Sequence, residues 1–124
     1  MPNLTEDAMT ESETVDAEWA RLKESVLTRN PDTAPGKMMT AAALTRDGKV
    51  FVFRSRRNGH GLGCKLGDKA PEAFGATEWK PLQPFKGKAP MRGWFVVGPR
   101  DAGLWPKIAE AALAHARDLA GASA

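Results

Sequence analysis

The chain has 124 residues, of which 42% are hydrophobic and 27% charged, a size and composition typical of one compact globular domain. No apolar run approaches the roughly 20 residues that a membrane-spanning helix needs, and the polar N-terminus does not resemble a secretory signal. The single cysteine, Cys64, excludes an internal disulfide and a zinc site built from thiolates. These features predict a cytoplasmic protein that uses no metal or other cofactor.

The net charge of +3 conceals a strong asymmetry along the chain. Residues 1–32 carry eight acids and three bases (net −5), whereas residues 33–100 carry thirteen bases and four acids (net +9). Residues 101–124 carry three acids and two bases (net −1). A basic segment of this kind can attract an acidic protein or a nucleic acid. The alternative is a solvated surface that the acidic N-terminus balances in part.

The first elements follow from composition and spacing. Residues 1–13 are polar and acidic, which predicts a disordered tail before a domain at residues 14–121, with residues 122–124 as a second tail. A first helix is predicted next, because one apolar stripe recurs at helical spacing in Trp19, Leu22, Val26 and Leu27. Thr14 or Asp16 can cap its start, and Asn30-Pro31 ends it.

A hairpin is predicted after this helix. Residues Met38–Thr45 and Lys49–Phe53 flank Arg46-Asp47-Gly48, and Asp-Gly between apolar segments is a strong hairpin signal. A third strand is predicted over Gly61–Leu66, where Leu62, Cys64 and Leu66 alternate with smaller or polar residues.

The rest of the chain predicts one strand and two helices. Residues 68–75 indicate a short helix that Gly75 closes. Residues 78–90 are rich in proline and lysine and indicate a loop, with a brief extended piece near Leu82–Phe85. Residues 93–97 indicate the last strand. A final helix begins near Pro106, and Gly121 terminates it.

These elements predict an α+β fold in a single domain. Strands joined by hairpins imply an antiparallel sheet of about four strands, and its apolar face is covered by the N- and C-terminal helices.

The residues that could carry catalysis do not form a recognisable centre. His60 and Cys64 are the one candidate pair for nucleophilic catalysis, but on an extended strand they lie roughly 13 Å apart, at about 3.3 Å per residue. A Cys–His relay needs hydrogen-bond contact. The glycines from Gly59 to Gly63 match neither phosphate-binding loop pattern, and two histidines with one cysteine do not make a zinc site. We therefore expect no catalytic residues, no metal site and no enzyme activity.

The basic residues are the candidate binding groups, because several arginines and lysines on loops and strand ends can grip phosphates or carboxylates. No helix-turn-helix, zinc-finger or RNP-type motif accompanies them. Of the four tryptophans we expect Trp19, Trp94 and Trp105 to lie in the core and Trp79 to be partly exposed. The candidate partner or phosphate contacts are Arg54, Arg56, Arg57, Lys65, Lys86, Lys88 and Arg92.

Several short motifs resemble the N-terminal domain of the TfoX/Sxy family over about residues 17–120. They are Lys37-Met38-Met39, Asp47–Phe51, Gly63–Leu66, Met91–Val97, and Trp105-Pro106 before an alanine-rich helix. The usual Met-Phe-Gly of the family stands here as Met38-Met39-Thr40. YjbR/MmcQ-like proteins have a similar layout and are the alternative family.

This resemblance implies a regulatory rather than a catalytic role. TfoX/Sxy proteins are associated with transcriptional regulation of bacterial competence together with a cyclic-AMP receptor protein, and the full-length regulators carry an additional C-terminal domain. The family supplies no catalytic motif to carry over.

Three hypotheses follow for function. The first is a non-enzymatic regulatory or interaction module with an unidentified protein partner and no membrane contact. The second is a nucleic-acid-binding domain that uses the basic central segment. The third is a small-molecule binder or enzyme that uses a cleft near His60 and Cys64.

Overall fold

A computed structural model describes residues 10–56, 59–83 and 87–123 and shows an α+β protein. One antiparallel sheet of six strands, in the order β1-β2-β3-β4-β6-β5, packs against two helices. The antiparallel sheet and the two helices that cover it agree with the prediction, but the predicted number of about four strands is lower than the six observed. The elements are α1 (Glu11–Arg29), β1 (Thr33–Met38), β2 (Ala41–Arg46), β3 (Lys49–Ser55), β4 (Gly61–Lys65), β5 (Trp79–Pro81), β6 (Trp94–Val97) and α2 (Trp105–Ser123).

Helix α1 begins earlier than predicted. Thr10 is its N-cap, and the Thr10 hydroxyl accepts a hydrogen bond of 3.0 Å from the Glu13 backbone N–H. The Thr10 hydroxyl also donates to the Glu13 carboxylate, so Thr-x-x-Glu forms a cap at residues that we assigned to the tail. The cap is therefore neither Thr14 nor Asp16, and the predicted tail boundary at residue 13 is too late; residues 1–9 lie outside the described residues.

The two missed strands are the edges of the sheet, and each contains a proline. The predicted segment Met38–Thr45 is split by a turn at Met39, whose φ is 56°, into the end of β1 and most of β2. The brief extended piece falls at β5 (Trp79–Pro81) rather than near Leu82. Proline lacks the N–H that an inner strand needs, so Pro35 and Pro81 suppress the strand signal yet fit an edge.

The Asp-Gly hairpin between β2 and β3 is confirmed. Asp47 and Gly48 both have positive φ, 54° and 76°, the combination that a tight two-residue hairpin turn requires. A β-bulge follows, because Thr45 pairs with Val50 and Leu44 with Val52, which leaves Phe51 without a partner. The bulge lets Phe51 and Val52 both join the core under the helices.

The main core lies between the sheet and both helices. Side chains of α1 and α2 pack there against Leu44, Phe51, Val52, Leu62 and Cys64, all of which are fully buried. Trp105 is 1% exposed, and its indole N–H donates to the Gly98 carbonyl at 3.2 Å. Helix α2 continues through Gly121 to Ser123, so Gly121 does not terminate it and residues 122–123 belong to the helix.

Two shorter segments connect the later strands. The predicted short helix is one turn of 3₁₀ helix, Pro71–Phe74, closed by Gly75 at a φ of 94°. A second 3₁₀ helix, Pro99–Leu104, leads from β6 into α2. None of the helices in the described part of the chain is long and apolar enough to cross a membrane.

A second apolar cluster covers the opposite face of the sheet, which was not predicted. Phe53 lies against Trp94, with ring centroids 5.9 Å apart, and Leu82 and Val96 are buried beside them. Gly63 faces Phe53 across the strands, and a Cβ on Gly63 would overlap the Phe53 ring. Glycine therefore makes room here for an aromatic side chain.

We expect Gly63→Ala to lower the free energy of unfolding by about 1–3 kcal/mol, because the added methyl group forces the Phe53 ring out of its site. Urea denaturation followed by fluorescence measures the change. Gly103→Ala is the matched control, since a Cβ there meets nothing within 4 Å. Equal stability of the two variants would contradict the close packing.

Asp32 links three separate parts of the chain. Its carboxylate accepts two hydrogen bonds from Arg117 of α2, at 2.8 and 3.0 Å, and one of 2.9 Å from Arg46 of β2. These bonds from Arg117 and then Arg46 hold the pKa of the Asp32 carboxyl far below its usual value.

We expect Asp32→Asn to lower stability at neutral pH. A depressed native pKa stabilises the fold above the unfolded-state pKa of about 3.9 and loses that effect as the pH falls. The stability difference between Asp32→Asn and the wild type should therefore shrink below about pH 4. Urea titrations at several pH values test this, with Asp118→Asn as the control. A difference that stays constant with pH would rule out this origin.

Candidate functional site

The structure separates the predicted basic cluster onto two sides of the sheet. Arg54 and Arg56 lie at the α1 side and contact Ser12 and Asp16 near the start of that helix. Lys65 lies at a position that faces the other side, opposite Trp94 on the neighbouring strand. The seven residues singled out from the sequence therefore do not form one continuous patch. Arg57 and Lys86 lie outside the described residues.

Arg54 is an interior residue with only 2% of its surface exposed. Its guanidinium makes five hydrogen bonds, matching its five N–H donors. The acceptors are the Asp16 carboxylate at 2.8 Å, the Ser12 carbonyl and hydroxyl, the Ser55 carbonyl and the His60 ring. Arg54 thus anchors the start of α1 to the end of β3. A partner on the surface cannot reach it, which corrects its assignment as a contact residue.

The contact with Arg54 fixes the tautomer of the neutral His60 ring. Arg54 Nη1 lies 2.9 Å from His60 Nδ1. Because arginine only donates hydrogen bonds, Nδ1 accepts and the ring hydrogen resides on Nε2. Asp16 completes this group, and the hydrogen bond from Arg54 lowers the pKa of the Asp16 carboxyl. Within the described residues, His60 Nε2–H makes no hydrogen bond and is the donor that the ring keeps.

Arg56 is about half exposed and pairs with Asp16 at 3.2 Å. It lies where a partner can reach it, but its charge already has a local counterpart. An exposed pair of this kind adds little stability, so Arg56 remains a surface cation of the α1 side.

Two of the remaining basic residues of the predicted set, Lys65 and Arg92, lie near the start of β6. The Gly93 carbonyl accepts hydrogen bonds from Leu66 N–H at 2.8 Å and Gly67 N–H at 3.2 Å, which brings Arg92 beside the end of β4 and Lys65. Lys88 and Arg92 are exposed, and Lys65 is half-buried. Among the described residues, no ion pair involves any of these three cations.

Cys64 lies in the main core and not in a cleft. The residue is fully buried, and its thiol contacts the Phe95 carbonyl with Sγ and oxygen 3.6 Å apart. Burial raises the pKa of the Cys64 thiol to about 12. His60 instead bonds to Arg54, so in the described part of the chain His60 and Cys64 do not line one cleft.

A cavity does lie beside His60, at the end of the sheet where β5 and β6 meet the loop before β4. Its volume is about 240 Å³. It is lined by Gly59, His60, Glu78, Trp79, Lys80, Val96, Gly98 and Pro99. Lys80 and Glu78 were not predicted site residues, because the missed edge strand β5 carries Lys80 and follows Glu78 directly. Lys80 and Glu78 could have been predicted as site residues only if β5 had been placed correctly from the sequence.

Asp101 holds one wall of this cavity in place. It accepts hydrogen bonds from the backbone N–H groups of Thr77 and Glu78, at 2.8 and 2.6 Å, and from the Thr77 hydroxyl. Burial of Asp101 raises the pKa of its carboxyl, but these hydrogen bonds outweigh burial and lower it. Asp101 therefore fixes the chain where it enters β5.

The predictions for the tryptophans agree with the structure. Trp19, Trp94 and Trp105 are buried, whereas Trp79 is half-buried and packs edge-on against Phe95 at 5.6 Å. His115 is half-buried beside Gly67. Within residues 10–56, 59–83 and 87–123, no three or more His, Cys, Asp or Glu side chains gather as metal ligands would.

No protein-family model, curated protein or solved structure matches this chain. The resemblance to the TfoX/Sxy N-terminal domain, and the alternative resemblance to YjbR/MmcQ-like proteins, therefore stay predictions based on short motifs.

We expect Cys64 to resist thiol reagents in the native protein, because at pH 8 a pKa of about 12 leaves almost no thiolate. Titration with a chromogenic disulfide measures its reactivity with and without denaturant. Modification should require unfolding and reach one thiol per chain in urea. A native rate equal to that of a free cysteine peptide would contradict the buried placement.

Proposed function

We propose that this chain is a non-enzymatic regulatory module that binds an acidic segment of a protein partner through the sheet face opposite its helices. Following the resemblance to the TfoX/Sxy N-terminal domain, we further propose that this binding serves transcriptional regulation. The face is called the basic sheet face below and consists of Lys65, Lys80, Lys88 and Arg92 with the strand positions between them.

The observation that carries the proposal is the absence of acid from this face. Strand pairing puts Lys65 opposite Trp94, and Lys80 opposite Val96, on the side away from the helices. The other described strand positions on that side carry no carboxylate; they are Ala34, Gly36, Met38, Ala41, Ala43, Thr45, Val50, Phe53, Ser55, Gly61 and Gly63. Leu82 and Met91 pack against the apolar cluster of this side, and the sequence from residue 82 to residue 93 also contains no acid.

Several carboxylates of the chain lie elsewhere, on or near the helices. Glu13, Asp16, Glu18 and Glu24 project from α1, and Asp16 neutralises the two arginines of that side. An acidic partner is thus attracted to one side of the molecule and repelled from the other. This separation of charge favours a specific docking orientation.

A protein partner fits this face better than a nucleic acid does. At the described strand positions of this face the aromatic residues are Phe53 and Trp94, which are 6% and 8% exposed, so their rings are not free to stack on bases. In the described part of the chain both long helices lie on the other side of the sheet, so neither is presented beside these cations to enter a DNA groove. Lysine and arginine side chains without exposed aromatic rings beside them are suited to pairing with the carboxylates of Asp and Glu.

We expect the triple variant Lys65→Glu, Lys88→Glu, Arg92→Glu to bind a labelled oligoglutamate peptide at least about tenfold more weakly than the wild type, because it reverses the charge of the face. Fluorescence anisotropy at low salt measures the affinity. Thermal unfolding checks that the variant is folded.

The matched control is Lys37→Glu, Lys49→Glu, Lys107→Glu, which makes the same change in net charge at exposed lysines away from this face. It should lose much less affinity. Equal losses in the two variants would show that only net charge matters and would overturn the proposed face. An oligonucleotide that binds more tightly than the peptide, with affinity falling steeply as salt rises, would establish the nucleic-acid alternative instead.

A further inference from the structure

We propose that the cavity beside His60 binds a small organic carboxylate, held at its charged end by Lys80 and His60. The cavity shares Lys80 with the basic sheet face, but it lies at the end of the sheet and does not use Lys65, Lys88 or Arg92. The experiment below therefore varies Lys80 alone, whereas the oligoglutamate measurement leaves Lys80 unchanged.

The size of the cavity limits the ligand. A volume of about 240 Å³ equals roughly eight water molecules at ~30 Å³ each. It lies below the range of about 300–1,000 Å³ that drug-sized ligands occupy. The cavity therefore suits a molecule of one ring or a short chain, and not a nucleotide or a peptide.

Lys80 supplies the positive charge. A Cβ built on Gly59 would lie 3.7 Å from Lys80 Nζ, so the ammonium group sits over the Gly59 backbone next to His60. Lys80 forms no ion pair with any described carboxylate. Gly59 has a φ of 89°, which favours glycine, and the lack of a side chain there keeps the space under the ammonium group open.

His60 supplies a fixed hydrogen-bond donor. Its Nδ1 is occupied by the buried Arg54, so Nε2–H is the ring donor left to a ligand in the cavity that His60 lines. The Ser55 hydroxyl donates to the Gly59 carbonyl at 2.9 Å and holds the backbone beside the ring. An ammonium group and an imidazole N–H arranged together match the two oxygens of a carboxylate.

Glu78 does not cancel this positive charge. Its Oε1 accepts from the Arg100 backbone N–H at 3.1 Å, and its Oε2 lies 3.7 Å from Arg100 Nε. The Glu78 carboxylate is therefore directed toward Arg100 and forms no ion pair with Lys80. Trp79, Val96 and Pro99 line the remaining wall and offer apolar surface to the body of the ligand.

The test is a titration of the full chain with benzoate, its neutral analogue benzamide, and inorganic phosphate. Backbone amide chemical shifts of Gly59 and Gly98 and the indole signal of Trp79 report binding by NMR. We expect benzoate to give saturable shifts at these residues, and benzamide and phosphate to bind at least about tenfold more weakly, because each lacks one of the two matching features.

Variants assign the binding to the named side chain. Lys80→Met keeps the aliphatic stem and should weaken benzoate binding by about tenfold or more, whereas Lys80→Arg should retain it. Lys88→Met removes a lysine outside the cavity and should bind like the wild type. Thermal unfolding of each variant shows whether the fold is kept.

The proposal is overturned if benzoate produces no saturable shifts at Gly59, Gly98 or Trp79. It is also overturned if Lys80→Met binds benzoate as the wild type does, or if benzamide binds equally well. Phosphate binding as tight as that of benzoate would exclude the organic carboxylate and identify a simple anion site. None of these results depends on the oligoglutamate measurement.

Discussion

The buried guanidinium of Arg54 holds together the end of the molecule where α1, the end of β3 and His60 meet. Arg54 lies on the helix side of β3 and is almost fully enclosed, so each of its N–H groups needs an internal acceptor. Ser12 and Asp16 provide acceptors only if the first turns of α1 lie over the strand end. The remaining acceptors are the Ser55 carbonyl and the His60 ring, and the contact with Arg54 fixes the tautomer of His60. The docking of α1, the position of the loop that carries His60 and the tautomer of His60 thus all depend on the hydrogen bonds that the buried Arg54 guanidinium requires.

The same requirement explains why the basic segment does not act as a unit. Arg54 and Arg56 are drawn to the acidic start of α1 and are paired there. Lys65 and Lys80 have no such counterpart among the described residues, because strand pairing puts them on the side away from the helices. Successive side chains of a strand point to opposite faces of the sheet. The charged residues are therefore divided between the helix side, where described acids pair with them, and the other side, where no described acid does.

The sheet itself has two apolar faces of different character. The face under the helices is a large continuous core that ends in buried residues such as Leu62 and Trp105. The other face carries a small cluster around Phe53 and Trp94, and it needs Gly63 to accommodate the aromatic ring. The bulge at Phe51 makes this possible, because it lets two successive residues face the helices before Phe53 turns to the opposite side.

Several local features were determined by the sequence alone. The apolar stripe of α1, its end at Asn30-Pro31, the Asp-Gly turn and the strands around Val52 and Val96 all follow from spacing and turn chemistry, which act over a few residues. The cavity-lining residues Glu78, Trp79 and Lys80, by contrast, lie in or directly before edge strand β5, which was missed. Edge strands β1 and β5 contain prolines, which weaken the sequence signal for a strand. Their pairing with the neighbouring strands β2 and β6 shows that they belong to the sheet.

The tertiary structure alone decided which charged residues are internal. The sequence shows Arg54, Arg56 and Lys65 as similar members of one basic run, because composition carries no information about burial. Only the docking of α1 made Arg54 an interior anchor, and only strand register put Lys65 on the opposite side. The burial of a charge depends on acceptors that lie about 40 residues away along the chain, and no local pattern can specify such a contact.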